Sequence, residues 1–275
     1  MNKEHIFKKK LLDWSKRNTR KYSWRKTQDP WKILLLEVIA QQTQLDRANS
    51  YYEDFIKKFP TPQEMSRISK KDILRMWSGL GYNNRALRLL ETSKILSKNS
   101  FDSIYPDFDI LPGVGKYTKN AILSFAYKEK VIAQDTNVLR IFTRFFGIKE
   151  PEKFIEKNQL NILKNIQSRK FNEALMDFGS KICTSKNPSC SICIFDKYCS
   201  KFMENEKKSK SKFKGSNREI RGKIIKHLTE NKNVNISDLK KIITAEEKKL
   251  NEILKKLENE GIITIKNKKL IEISS

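Results

Sequence analysis

Four cysteines, Cys183, Cys190, Cys193 and Cys199, are the only ones in this 275-residue chain and lie in a C-x6-C-x2-C-x5-C run. Disulfides so closely spaced would restrain very little of the unfolded chain. Thiolate ligation of a metal centre is the stronger reading. Zinc sites favour paired short C-x2–4-C knuckles, whereas an irregular six, two, five spacing suits a [4Fe–4S] cube better. Spacing therefore points first to iron–sulfur, then to zinc. Lys181, Lys186, Lys197 and Lys201 would place positive charge on the loops around such a centre.

Two carboxylates also invite attention. Glu37 sits inside LLLEVIA, where desolvation would raise its pKa toward the range of a general acid. A structurally paired glutamate would leave the same pattern. Asp135, in VIAQDTNVLR, follows an apolar run and opens a helix, which suits an N-cap as well as a catalytic carboxylate. Gln41 and Gln44 continue the Glu37 helix by one and two turns, so their amides could read a nucleobase edge. The turn Leu111-Pro112-Gly113-Val114-Gly115 runs into a helix beginning at Lys116. Glycine lets the backbone approach closely, and free N–H groups at a helix start favour an anion. A plain turn between packed helices would use the same residues.

The elements that position these groups are helical. Apolar residues recur at helical spacing over 5–17, 46–58, 62–67, 70–77 and 83–98, and again over 135–147, 152–168 and 170–182. Asp29-Pro30 opens an apolar helix, WKILLLEVIAQQTQ. No strand pattern precedes residue 200, and 9 Gly and 7 Pro are too few for a sandwich or barrel. Residues 201–218 read as a basic linker. Beyond it come helices at 219–229, 236–243 (capped by Ser237) and 245–260, then a hairpin, IITIKNKKLIEI; together they suggest a winged helix-turn-helix. Lys and Arg number 57 against 32 Asp and Glu, a net charge of +25 that fits a polyanionic partner, although a lysine-rich proteome would give the same excess. No apolar run is long enough to span a membrane, and the charged N-terminus lacks a signal-peptide core. A cytoplasmic protein without membrane association is expected.

Together these features resemble the helix-hairpin-helix DNA glycosylases of the endonuclease III superfamily, most closely the adenine glycosylase (MutY-type) branch. The resemblance covers residues 8–200. It rests on Trp24, the DPW-to-EVIAQQTQ helix, MWSGLGY (76–82), LPGVGKYT (111–118), DTNVLR (135–140) and the cysteine spacing. It implies an all-α two-module fold: an iron–sulfur module from 1–26 and 136–200, and a six-helix module from 27–135. The linker 201–218 and a winged helix-like α+β module, 219–275, follow.

By the same resemblance Glu37 protonates the departing base and activates water, Asp135 stabilises the sugar cation, and Asn137 holds water or Asp135. Tyr117 stands where bifunctional relatives carry a Schiff-base lysine, so strand cleavage is expected to be absent. Gln41, Gln42 and Tyr82 match positions that wedge into the duplex and contact the orphan base. Leu111, Gly113, Val114, Gly115 and Lys116 would grip the DNA backbone, and the four cysteines would hold a [4Fe–4S] cluster. The implied function is monofunctional, mismatch-specific excision of adenine opposite guanine or 8-oxoguanine, by a monomer acting on double-stranded DNA in the cytoplasm or nucleoid. Two departures stand out: the linker and small module replace a Nudix-like domain, and Asn83-Asn84 follow Gly81-Tyr82 where a second aromatic is common. The archaeal G/T-mismatch thymine glycosylase also carries Tyr at the position of Tyr117 and lacks the extra domain, so thymine or uracil opposite guanine is the alternative. A non-catalytic iron–sulfur winged-helix regulator is a third reading, opposed by the presence of both Glu37 and Asp135.

Overall fold

The computed structural model describes residues 2–202, 215–232, 234–243, 245–267 and 269–274; most of the expected linker 201–218 lies outside them. Ten helices occupy the first 200 residues: α1 (Lys3–Asn18), α2 (Pro30–Ala40), α3 (Leu45–Lys58), α4 (Pro62–Ser66), α5 (Lys70–Met76), α6 (Asn84–Leu96), α7 (Lys116–Phe125), α8 (Thr136–Phe142), α9 (Pro151–Ile162) and α10 (Ser168–Lys181). After them come α11 (Asn217–Glu230), β1 (Val234–Asn235), α12 (Ile236–Ile242), α13 (Glu247–Asn259), β2 (Ile263–Lys266) and β3 (Leu270–Ile273). The described residues fall into two compact units, the first holding 2–41, 48–52 and 101–202, the second 42–47, 53–100 and 215–274.

The first unit is built on aromatic packing. Phe7 and Leu11 of α1, Ile141 and Phe142 of α8, and Phe171 and Phe178 of α10 share one buried cluster with Phe145 and Phe195. Phe195 belongs to the cysteine loop and stacks on Phe7 with ring centroids 5.0 Å apart, so the loop is anchored in the core. A buried ion pair ties the turn Ser23–Lys26 to α10: Arg25 meets both oxygens of Asp177 at 2.7 and 2.9 Å, and the Arg20 backbone N–H adds a third bond at 3.1 Å.

Asp29 caps α2 by accepting from the N–H groups of Trp31 and Lys32, with Pro30 in the first turn. Trp31, Ile33 to Leu36, Val38 and Ile39 are all buried, so this helix is buried over most of its length, and it packs along α7. It ends at Ala40, and the expected continuation through Gln44 does not form. Beyond Ala40 the apolar run stops, Gln42 turns left-handed at φ 55°, and Gln44 occupies the N-cap position of α3. Gln41 and Gln44 are therefore loop residues rather than successive turns of the Glu37 helix.

In the second unit α4 and α5 pack against α6, around a buried Trp77 whose indole N–H donates to Gly81 O at 3.0 Å. Phe55 meets Trp77 edge-on, with centroids 5.7 Å apart. The C-terminal segment belongs to this unit: α11 packs on α5 and α13, and buries Ile220, Ile224 and Leu228. The expected hairpin forms by antiparallel pairing of β2 with β3, Ile263 opposite Ile273. The two-residue strand β1 adds to β3, Val234 opposite Ile271, giving the order β1-β3-β2. Two residues carry too little periodicity to be read beforehand. Asn235 rather than Ser237 takes the N-cap position of α12, because pairing with β3 fixes where the strand ends.

Candidate active site

Glu37 is the one ionisable side chain in the apolar run of α2 and is 7% exposed. Burial pushes its carboxyl up from 4.5 to about 7; a hydrogen bond from the Tyr117 hydroxyl pulls the other way, and the nearby negative charge of Asp135 adds to the rise. The same surroundings hold the Tyr117 phenol well above its ordinary range, chiefly through burial and then through both carboxylates. Glu37, Tyr117 and Asp135, nearly 100 residues apart in sequence, thus form one electrostatic group within the first unit.

Asp135 serves as the N-cap of α8, with Oδ1 accepting from Val138 N–H at 2.7 Å. Its Oδ2 accepts from Asn137 Nδ2 at 2.8 Å. The extended segment leading to Asp135 is pinned by side-chain amides. Asn172, fully buried on α10, accepts from Ala133 N–H and donates to Ser124 Oγ and Val131 O. Gln159 accepts from Ile132 N–H at 3.0 Å, and Asn120 donates to Ile132 O at 3.2 Å. The buried Asn172 amide, bonded through both its oxygen and its nitrogen, fixes this backbone firmly.

Three positioning residues escaped sequence reasoning. Arg140 Nη2 donates to Asn137 Oδ1 at 2.7 Å and Gly179 O at 2.9 Å, while its Nε donates to Cys183 O at 2.8 Å. A continuous chain of hydrogen bonds therefore runs from Asp135 to the first cysteine. Gly179 lets α10 approach α8: a Cβ there would stand 2.7 Å from Asn137 Cβ. A lone glycine inside FNEALMDFGSK was the available signal for close approach. Arg144, one turn beyond Arg140, donates to Thr184 O at 2.6 Å and points Nη1 at Cys183 Sγ, 3.6 Å away.

The four cysteines line one cavity of about 180 Å³, together with Arg144, Asp196 and Lys201. Backbone N–H groups of Phe195 and Lys201 each point at a sulfur, Cys193 and Cys199 respectively, at 3.4 Å. Among the described residues, no three His, Cys, Asp or Glu side chains are grouped as ligands of a single metal ion. Of the loop lysines, Lys201 pairs with Asp196 at 2.8 Å and Lys181 donates to Asn18 O, while Lys186 and Lys197 are exposed.

In the hairpin, Leu111 and Val114 are buried and close the turn through Val114 N–H to Leu111 O at 3.1 Å. Gly113 takes φ 83°, a left-handed value that favours glycine. Gly115, exposed, stands at the N-cap of α7 with no side-chain cap for the first-turn N–H groups, beside exposed Lys116. Lys116 pairs with Glu156, and Lys119 with Asp109 at 2.6 Å. Gln42 and Tyr82 belong to the second unit; Tyr82 is 43% exposed, left-handed at φ 47°, and lies beneath the Arg85 guanidinium.

Residues 35–164 match the family described as HhH-GPD superfamily base excision DNA repair protein. An adenine DNA glycosylase of Mycobacterium tuberculosis is 31% identical over 237 residues, covering 80% of this chain and 78% of that protein. The chain belongs to this superfamily. A second adenine DNA glycosylase, from Buchnera aphidicola, is 36% identical over 210 residues, 73% of this chain; the match spans 60% of that relative's length. Among solved structures, one described as a thermostable thymine-DNA glycosylase superposes with a TM-score of 0.66 at 27% identity, covering 73% of this chain and 96% of the other. Membership of the HhH-GPD superfamily accounts for the helical architecture and for the hairpin that precedes α7.

Proposed function

We propose that this HhH-GPD protein is a monofunctional DNA glycosylase of base excision repair that releases adenine mispaired with guanine or 8-oxoguanine. The observation that carries the reading is the pairing of a buried, near-neutral Glu37 with a hydrogen-bonded Asp135 around Tyr117. Glu37, its pKa raised to about 7 so that a large share stays protonated at neutral pH, donates to the departing base and then takes a proton from attacking water. Asp135, its oxygens held by Val138 N–H and Asn137, faces the positive charge that develops on the sugar. Tyr117 cannot form an imine, so the product strand stays intact until alkali is added.

The hairpin Leu111–Lys116 grips phosphates through the open N-terminus of α7, with a phosphate displacing Glu156 from Lys116. Gln41, Gln42 and Tyr82 wedge into the duplex and contact the orphan base. Cys183, Cys190, Cys193 and Cys199 hold a [4Fe–4S] cluster; four thiols around one cavity, with backbone N–H groups aimed at two sulfurs, suit that donor set. The cluster's part is structural, closing the loop beside Arg140 and Arg144. The C-terminal α11–α13 and three-stranded sheet form a winged helix-like module. The protein works as a monomer in the cytoplasm, on DNA.

Excision of thymine or uracil opposite guanine is a second reading, favoured by the likeness to the solved thymine-DNA glycosylase over nearly all of that chain. Duplexes bearing A:G, A:8-oxoG, T:G, U:G and A:C, incubated with the protein and then heated in alkali, decide between the two. Cleavage confined to the adenine strand supports the first reading, and cleavage confined to thymine or uracil supports the second. No cleavage of any duplex would overturn both.

A further inference from the structure

The C-terminal module is docked, within the second unit, on the helices that carry Tyr82. At one end two cations cap α11: Arg75 Nη2 donates to Thr229 O at 2.9 Å and Lys71 Nζ to Asn231 O at 3.1 Å. At the other end Glu260 accepts from Asn84 Nδ2 at 3.0 Å and is held by both Nη atoms of Arg221, at 2.8 and 2.5 Å. Arg218, in the first turn of α11, donates Nη1 to the Tyr82 hydroxyl at 3.3 Å. The module therefore holds the loop between Gly81 and Asn84 at the Tyr82 hydroxyl and again two residues later at Asn84.

This grip acts on a residue that needs support. Tyr82 combines a left-handed backbone with a half-exposed ring, a conformation that persists only when its surroundings impose it. The exposed face of α13 alternates Glu247, Lys248, Glu252, Lys255, Lys256 and Glu258, close to neutral rather than a basic stripe.

We infer that the C-terminal module is a buttress for the Tyr82 loop, with Arg218 acting on the phenol directly and Glu260 acting through Asn84, so that Tyr82 is presented to the duplex in one orientation. The inference rests on the reading of Tyr82 as a duplex contact. Arg218 and Glu260 are positioning residues.

Full-length Arg218→Ala, Glu260→Ala and Glu260→Gln are compared with Tyr82→Ala by measuring Kd for matched and mismatched duplexes against salt. Both alanine variants should lose mismatch discrimination by about tenfold, the scale of one hydrogen bond, with the salt slope unchanged. Arg218→Lys, which keeps a donor, should restore part of it, and Glu260→Gln, which keeps an acceptor for Asn84, should fall between. In a Tyr82→Phe background Arg218→Ala should have no further effect, since the shared hydroxyl is already gone. Additive losses, or a uniform loss on both duplexes with a slope shallower by about 0.9, would make Arg218 a phosphate contact and overturn the buttress. Unchanged discrimination in both alanine variants, while Tyr82→Ala abolishes it, overturns the buttress alone. An inert Tyr82→Ala overturns the underlying reading and the inference with it.

Discussion

Replacing Glu37 by Gln separates what the carboxyl does from what its burial costs. Burial lifts Glu37 from 4.5 to about 7, so between those pH values the unfolded chain is ionised while the folded protein keeps its proton. Stability therefore falls as pH rises from 4.5 to about 7 and is level beyond. At about 1.36 kcal/mol per pH unit, this amounts to roughly 3 kcal/mol withheld from the fold at pH 8. Gln is neutral throughout, and its amide oxygen can still accept from Tyr117. Glu37→Gln should match the wild type near pH 4.5 and be more stable by up to roughly 3 kcal/mol at pH 8, about 6–12 °C in Tm. Base release by the same variant should fall about 10²-fold or more, and duplex binding should persist, because Glu37 touches no phosphate. In the wild type, release should decline about tenfold per pH unit above 7, as the acid loses its proton. Calorimetry at pH 4.5 and pH 8, paired with single-turnover release, tests the whole chain of reasoning. A variant equally displaced in Tm at both pH values, or one that retains turnover, refutes it.

The Tyr117 hydroxyl lowers the Glu37 pKa, so Tyr117→Phe should move the alkaline limb of the pH–rate profile upward; an unmoved or downward-shifted limb contradicts the hydrogen bond. Borohydride should trap no covalent complex with the wild type. Gly179→Ala brings a Cβ to 2.7 Å from Asn137 Cβ and should cut base release and lower stability by about 1–3 kcal/mol, with iron content kept, as read by single-turnover kinetics, calorimetry and metal analysis. Purified protein should be yellow-brown with about four irons per chain, and Cys199→Ser should lose that absorbance; stoichiometric zinc without iron after anaerobic purification would sink the cluster assignment.

Much of the first unit was legible because its signals are local. Apolar spacing marked the helices, Asp29-Pro30 marked a helix start, and Gly113 marked a turn requiring a left-handed residue. Glu37 stood out as a lone charge in an apolar run, a contradiction that sequence displays openly. What failed to show was cross-chain geometry. The end of α2 at Ala40 depends on where the next helix begins, and the glutamines themselves tolerate either state. Asn120, Gln159 and Asn172 look like ordinary polar residues until their amides are seen to hold the segment before Asp135. Arg218 and Glu260 belong to a module whose sequence suggested a fold but not what it docks against.

The division of labour between the two carboxyls follows from where each sits in secondary structure. Glu37 lies inside a helix, where backbone N–H groups are committed to carbonyls one turn back and none is free to steady an anion. Its hydrogen-bond partner is the Tyr117 phenol, and the neutral acid is the form that its burial favours. Asp135 lies at a helix start, where N–H groups have no carbonyl partner, and it takes one of them together with the Asn137 amide. Exchanging the two roles would leave a buried anion with the Tyr117 phenol as its donor and place the acid at a helix start, among N–H groups that favour an anion. Helix position thus supports the roles proposed for Glu37 and Asp135. The Asn137–Arg140–Cys183 bonds extend that assignment outward, because the arginine that orients Asn137 is itself fixed by the backbone of the first cysteine. Loosening the cysteine loop should therefore reach the chemistry through Arg140 before it reaches the fold, whose aromatic core holds Phe195 independently of any ligand at the sulfurs.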